Sequence, residues 1–415
     1  MPGLRALWDD VWLLDGVRTA FAEYATVLSL VSPTDLGIKV ARAVFERSGV
    51  PPADVGVVVA GNVAQASFDA YMLPRHIGLY SGVPVEVPAQ LVQRVCGTGI
   101  EAIVQASDAV AQGRADVGLC VGAESMSRNP IAAYTHRNGF RMGQVEFKDF
   151  LWESLLDTAA NCTMGGTAEN LAKRHNISRA DVDQFAACSF ARAVAAQNGF
   201  LAGEITPVVN EDFEIAHPGY QRRGIRLPRE VREFSTDTHV RPSPLEALAK
   251  LKPAFGGVQT GGNSSGIVDG AAAALVASGS YVRAHGKTPL GRIVAAAAVG
   301  VAPEIMGIGP VPAIRSVLDR AGIALDAIDR FEINEAFGAQ CLACIRELKL
   351  DRDKVNVNGG AIAIGHPLAA TGVRLSVTVA RELKKSGKRY GIASACIGGG
   401  QGIALLIENS QSASN

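Results

Sequence analysis

Three side chains stand where covalent chemistry could be done: Cys96, His366 and Cys396, each within two residues of a glycine at the edge of an apolar run. Cys96 follows the strand-like stretch Leu91 to Val95 and opens Gly97-Thr98-Gly99, after which Ile100, Ile103, Val104, Ser107, Val110 and Ala111 repeat at helical spacing. A thiol at such a turn faces the unpaired N–H groups and positive end of the helix, which favour thiolate. By itself the position suits a buried structural cysteine equally well. His366 lies in Asn358-Gly359-Gly360-Ala361-Ile362-Ala363-Ile364-Gly365-His366-Pro367, just ahead of a second helical run, where it could act as the base that makes a thiolate. Cys396 opens Cys396-Ile397-Gly398-Gly399-Gly400-Gln401-Gly402, whose backbone N–H groups could hold an oxyanion. A phosphate cradle is the rival reading, but the run lacks the lysine and hydroxyl of a P-loop. Asn334, in Asn334-Glu335-Ala336-Phe337, ends another apolar strand; its amide could orient a water or polarise a carbonyl, or simply cap a helix.

The elements that must position these residues come twice. In the first copy, Val11 to Leu14 reads as a strand. Ser32-Pro33 starts a helix that Gly49 stops, and Val55 to Ala60 forms a strand ending at Gly61-Asn62. In the second, Arg292 to Val301 is the strand, Pro312 opens a helix that Gly322 stops, and Ile328 to Ile333 runs to Asn334. Val44-Phe45-Glu46-Arg47-Ser48-Gly49 and Val317-Leu318-Asp319-Arg320-Ala321-Gly322 match in character at most positions. The Cys96 turn pairs with the His366 turn, and Cys120-Val121-Gly122 with Cys396-Ile397-Gly398. Alternating strands and helices imply an α/β fold of mostly parallel sheets covered by helices. Two halves result, 1–126 completed by 267–286, and 287–415. Between them, 127–266 is more polar and reads as an inserted loop domain.

Composition sets the surroundings. The chain has 415 residues, 48% of them hydrophobic, enough for large cores. Forty basic residues balance forty acidic ones, which gives no general pull toward nucleic acid or an anionic membrane. With no secretory signal and no run long enough to span a bilayer, the expectation is a soluble, cytoplasmic protein. Seven scattered cysteines do not make a disulfide framework. Cys341 and Cys344 form a CxxC in an apolar helix and read as core packing; His76, His136, His175, His217, His239 and His285 have no metal-ligand spacing. No metal site is expected. Arg222, Arg223, Arg226, Arg229 and Arg232 could meet nucleotide phosphates or simply face solvent.

The motifs together resemble the thiolase family over nearly the whole chain. They are Val95-Cys96-Gly97-Thr98-Gly99, Gly122-Ala123-Glu124-Ser125-Met126-Ser127, Met164-Gly165-Gly166-Thr167-Ala168-Glu169-Asn170, Gly262-Asn263-Ser264-Ser265-Gly266, and the Asn334, His366 and Cys396 motifs, in the family's order and spacing. The resemblance implies a duplicated thiolase fold of five layers, αβαβα, with an inserted loop domain, in homodimers or homotetramers. It implies thiolysis of 3-oxoacyl-CoA to acyl-CoA plus acetyl-CoA, or the reverse Claisen condensation. Coenzyme A is then a substrate and no cofactor is permanently bound. Cys96 would be the nucleophile, His366 its activator, and Cys396 the second acid/base. Asn334 would hold the water of one oxyanion site, and the N–H groups of Cys96 and Gly398 would form the other. Ser265, Ala336, Phe337 and Met164 would line the acyl and pantetheine path. The chain departs from the family after Arg18-Thr19, where Ala20 to Ala25 replace the usual proline- and glycine-containing loop. It departs again at Thr163 and Gly261, where histidine and alanine are common, which bears on substrate identity. The competing readings are a related condensing enzyme using an acyl carrier protein, a catalytically inactive acyl-CoA binding protein, and a zinc protein built on Cys96, His366 and Cys396.

Overall fold

The computed structural model describes residues 3–64, 69–134, 136–143, 145–215 and 219–411; His217 lies outside them. Its framework is nine strands: β1 (Leu4–Arg18), β2 (Val55–Gly61), β3 (Ala89–Val92), β4 (Val117–Glu124), β5 (Val268–Ser278), β6 (Gly291–Gly300), β7 (Arg330–Ile333), β8 (Tyr390–Ile397) and β9 (Gln401–Glu408). They join one sheet in the order β7-β8-β9-β6-β1-β5-β4-β2-β3, and the two-residue strand Ala22–Glu23 adds to β5. Each half has the same topology. In the first, β3, β2 and β4 are parallel and β5 lies antiparallel between β4 and β1. In the second, β7 and β8 are parallel, a parallel bridge from Phe331 to Val355 stands in for the strand matching β3, and β9 lies antiparallel between β8 and β6.

Three sequence expectations do not hold. The sheets are mixed, because β5 and β9 each return through the middle. The first strand is far longer than Val11 to Leu14. It bulges between Leu7 and Val11 and pairs with β6 on one edge and β5 on the other, so it joins the two halves. Asp9 and Asp10, exposed at the bulge, interrupt the apolar pattern that would otherwise reveal it. The Cys120 segment is not the counterpart of Cys396. The registers Gly61 to Gly122 and Ile333 to Ser394 are equivalent if Asn62 matches Asn334. Two residues further along each strand, Glu124 takes the place of Cys396.

Five layers result. Helix α1 (Pro33–Ser48) covers β1, β4 and β5 from outside. Its start is the expected one: Ser32 Oγ accepts from Asp35 N at 3.0 Å, and Gly49 closes it at φ 62°. Helices α2 (Thr98–Ala111) and α7 (Leu368–Ser386) pack together between the two halves. Helix α7 touches β4 and β5 on one side and β7 and β8 on the other. The α2–α7 crossing depends on glycine: a Cβ on Gly99 would meet Val373 N at 2.4 Å, and one on Gly372 would meet Ile100 N at 2.3 Å. Helix α5 (Pro310–Ala321), which starts one turn-forming proline earlier than Pro312, covers β6 and β9, and α6 (Gly338–Leu348) flanks it. The segment 127–266 is more regular than its sequence suggests, since it holds α3 (Met164–Arg174) and α4 (Arg179–Ala196), the latter opened by a Ser178–Asp181 capping box.

Candidate active site

Cys96 sits on a tight turn two residues ahead of α2. Val95 there adopts φ 43°, a left-handed conformation that a β-branched residue rarely takes. Local hydrogen bonds over-determine it: Thr98 Oγ1 donates to Val95 O at 2.6 Å and accepts from Arg94 N at 2.9 Å. Arg94 also donates to Glu101 and to Gln401, tying the turn to the start of β9 in the other half. Strain of this kind, on the order of 1–3 kcal/mol, is characteristic of functional sites. The backbone N–H groups of Gly398 and of Cys96 itself favour the thiolate, but burial outweighs them and pushes the thiol up to about 11. Burial thus offsets the help of the helix N-terminus, and a thiolate at Cys96 calls for a base, as the sequence leads one to expect.

His366 stands two residues ahead of α7, the equivalent place in the second half. Its backbone N donates to Gly266 O at 3.0 Å. Its Nδ1 lies 2.6 Å from Thr371 Oγ1, and that hydroxyl donates its one hydrogen to Pro367 O at 3.1 Å. Nδ1 therefore carries the ring proton, a tautomer assigned from the network. Nε2 keeps its lone pair and faces Asn334 Nδ2 at 3.3 Å. Burial holds the ring neutral by depressing its pKa to about 3, with the Arg374 guanidinium adding to the shift. Asn334 is fixed by its backbone bond to Ser394 O, and its Oδ1 is buried without a protein partner.

Cys396, the last residue but one of β8, is fully buried, with its thiol raised far above the ordinary range by burial and then by the neighbouring Cys96. Beyond it Gly398 leads into Gly399 and Gly400 at φ 86° and 85°; a Cβ on Gly400 would meet Val301 O at 2.4 Å, so the hairpin requires glycine there. Cys396 packs with Met164, Met306 and Ala336, and with Leu155 and Phe337 beside them. Met164 Sδ lies against Gly398, Ser265 N donates to Ala336 O at 3.0 Å, and Phe337 meets Phe255 edge-to-face. Cys96 clusters with Val63, Met126, Leu151, Leu368 and Ala369, the last two opening α7 just past His366. All nine residues singled out in the sequence thus fall in one connected region where the halves meet.

Thr371 and Glu124 complete the site, and neither stands out in the sequence. Thr371 reads there only as a helix-opening residue, five positions past His366. Glu124 lies inside the Gly122 motif with no role of its own. It is buried, and burial raises its pKa to about 7, but its two oxygens accept four N–H hydrogen bonds and face no acceptor for a carboxyl proton, so the surroundings fit the ionised form. Cys341 and Cys344 are buried in α6, where Cys344 Sγ lies 3.3 Å from Gly307 O. Three arginines of the run are engaged on the protein itself, Arg223 with Asp35 and Asp69, Arg222 with Asp212 and Glu214, and Arg226 with Asp212, while Arg229 and Arg232 are exposed.

Comparison with known proteins agrees with this geometry. Residues 11–280 match the N-terminal domain of thiolase and residues 287–409 its C-terminal domain. The chain belongs to the thiolase family. It is 42% identical over 409 residues to the mitochondrial 3-ketoacyl-CoA thiolase of Bos taurus, covering 97% of this chain and 99% of the relative. It is also 42% identical over 405 residues to the acetyl-CoA acetyltransferase of Thiocystis violacea, covering 96% and 99%. The crystal structure of human mitochondrial 3-ketoacyl-CoA thiolase in complex with CoA superposes with a TM-score of 0.90 at 41% identity, over 97% of this chain and 98% of that one. As a thiolase the chain is an acyltransferase of the acetyl-CoA C-acyltransferase type, with coenzyme A as a substrate. The expectation of a cytoplasmic protein is overturned, since relatives at 42% identity are named as mitochondrial enzymes. Balanced charge and an apolar core suit any aqueous compartment, so composition does not separate one from another.

Proposed function

We propose that this thiolase works through an acyl-Cys96 intermediate. His366 Nε2 takes the Cys96 proton, and the thiolate attacks the 3-oxo carbon of a 3-oxoacyl-CoA. The carbon–carbon bond then breaks, leaving the acyl group on sulfur, and the departing acetyl-CoA carbanion takes a proton from Cys396. Coenzyme A thiol gives its proton back to Cys396, attacks the thioester and releases acyl-CoA, and Cys96 recovers its proton from His366. The N–H groups of Cys96 and Gly398 lie at the sulfur, where a thioester oxyanion would develop. Asn334 serves the other oxyanion beside His366, its unpaired Oδ1 suited to hold a water. Met164, Ser265, Ala336 and Phe337 line the path of the acyl-pantetheine chain.

The observation that carries this reading is the setting of His366: Thr371 Oγ1 at 2.6 Å from Nδ1 and Asn334 Nδ2 facing Nε2, a buried arrangement that assigns the ring proton to Nδ1. The division into 1–126 plus 267–286, 127–266 and 287–415 is supported by β5 lying within the first half's sheet. A homodimer or homotetramer is supported by β3, an open sheet edge with Val85 exposed just ahead of it. Mass spectrometry of the intact protein after mixing with acetyl-CoA and with 3-oxoacyl-CoAs of increasing length tests the reading. An acyl adduct on Cys96, lost in Cys96→Ala, is expected; folded, reduced protein that forms no adduct with any thioester would favour a non-catalytic CoA binder.

A further inference from the structure

The duplication leaves the first half with a counterpart of the Cys396–Asn334 pair, and that counterpart is Glu124 and Asn62. Glu124 is the last residue of β4 and Cys396, at the same register position, the last but one of β8, and Asn62 follows β2 as Asn334 follows β7. Where the second half has a thiol, the first has a carboxylate, fully buried at the junction between halves. Both of its oxygens are occupied by donors. Oε1 accepts from Ala64 N at 3.1 Å and Asn62 Nδ2 at 3.0 Å. Oε2 accepts from Val63 N at 3.1 Å and Ala369 N at 3.0 Å. Ala369 is the second residue of α7, three beyond His366, so a carboxylate from the first half caps the helix that follows the base in the second. Charge-assisted bonds to a helix N-terminus are among the stronger ones.

The bracing runs both ways across the junction. Arg94 beside Cys96 in the first half donates to Gln401 Oε1 of the second at 3.0 Å, and Glu124 of the first accepts from Ala369 of the second. Val63, Leu368 and Ala369 also form the apolar wall around Cys96. We infer that Glu124 is a positioning residue that sets the alignment of His366 with Cys96 by clamping the start of α7 to the Asn62–Ala64 turn. This rests on the proposed roles of Cys96 and His366. Misplacement of about 1 Å in such a pair costs on the order of a hundredfold in rate without requiring any loss of substrate binding.

Glu124→Gln has the same shape but only one acceptor oxygen. Its amide nitrogen must face donors on either side, so two of the four bonds are lost however it is turned. Glu124→Asp keeps the charge with a shorter reach. Steady-state thiolysis, with thermal melts to verify folding, separates the outcomes. The expected result is a kcat lowered roughly 10- to 100-fold in Glu124→Gln with KM for the 3-oxoacyl-CoA within about twofold. Partial recovery of kcat in Glu124→Asp is expected as well. A folded Glu124→Gln enzyme with wild-type kcat, or one altered in KM alone, overturns the inference. If Glu124→Gln does not fold, Glu124→Asp is the deciding variant: reduced kcat at unchanged KM supports the clamp and wild-type kcat refutes it. Absence of a Cys96 acyl adduct in the unmutated protein would instead be a failure of the proposed mechanism, distinguishable from failure of the clamp.

Discussion

Thr371→Val removes one hydroxyl and tests how His366 is made into a base. In the wild-type site the 2.6 Å contact from Nδ1 to Thr371 Oγ1 holds the proton away from Cys96, and Asn334 Nδ2 faces the free Nε2. Valine has nearly the same shape but accepts no hydrogen bond. His366 and Thr371 are both buried, so no solvent replaces the lost partner. Leaving Nδ1–H unpaired costs about 1–3 kcal/mol. The ring can escape that cost by moving its proton to Nε2, where Asn334, with its amide turned over, offers Oδ1 as acceptor. That tautomer has no lone pair to receive the Cys96 proton. A bias of about 1–3 kcal/mol toward it lowers the working population, and with it the acylation rate, by roughly 5- to 150-fold. The assay is the rate of acyl-adduct formation on Cys96 by rapid-quench mass spectrometry, alongside kcat for thiolysis. Thr371→Ser, which restores the oxygen, is expected to stay within about threefold of wild type. A folded Thr371→Val enzyme whose acylation rate matches wild type would show that Thr371 does not set the tautomer.

Three further outcomes follow from the same structure. With Cys96 pushed up to about 11 and His366 down to about 3, the resting pair is uncharged. Alkylation of Cys96 by iodoacetamide should therefore keep rising from pH 7 to pH 10, because the thiolate is the reacting form; a plateau reached below pH 7 would mean a standing thiolate–imidazolium pair. For stability the sign for His366 is opposite to that of a paired histidine. The unfolded chain takes up the proton near the ordinary value of 6.5 and the folded chain does not, so this group removes stability as pH falls from about 6.5 toward 3. Gly372→Ala should lower stability by about 1–3 kcal/mol, since its methyl would drive into Ile100 N at 2.3 Å. An unchanged denaturation midpoint would show that α2 and α7 can separate without cost.

What the sequence announced and what it hid divide along physical lines. Glycine turns, helix caps and apolar runs are local, so the start of α1 at Ser32, its stop at Gly49 and the placing of Cys96, His366 and Cys396 at element ends are all legible in the chain. Long strands with charged interruptions are not. Asp9 and Asp10 hide the Leu4–Leu7 end of β1, which pairs with β6 of the second half. Strand order is equally hidden, because nothing local tells β5 or β9 to return antiparallel between its neighbours. That order in turn decides which residues are true counterparts. Matching Cys120 with Cys396 by their shared Cys-x-Gly is natural from the sequence, yet Cys120 is held mid-strand against Ala102 O. Only the strand registers place Glu124 across from Cys396.

The same distinction explains the site. Residue types reveal nucleophiles and bases, because thiols and imidazoles are few and flanked by glycine. The groups that make them work are ordinary threonine and glutamate side chains, recognised only by what lies within hydrogen-bond reach. Without Thr371, His366 has no fixed tautomer. Without Glu124, the first turn of α7 loses its hydrogen bond to the half that carries Cys96 and keeps only packing against it. Duplication supplied two strand ends at one junction, and the two have diverged in kind. One carries a thiol, the proton donor of the proposed mechanism, while the other carries a carboxylate whose two oxygens are each held by two donors. A site assembled from two halves needs both, since chemistry at Cys96 is only as fast as the junction is well aligned.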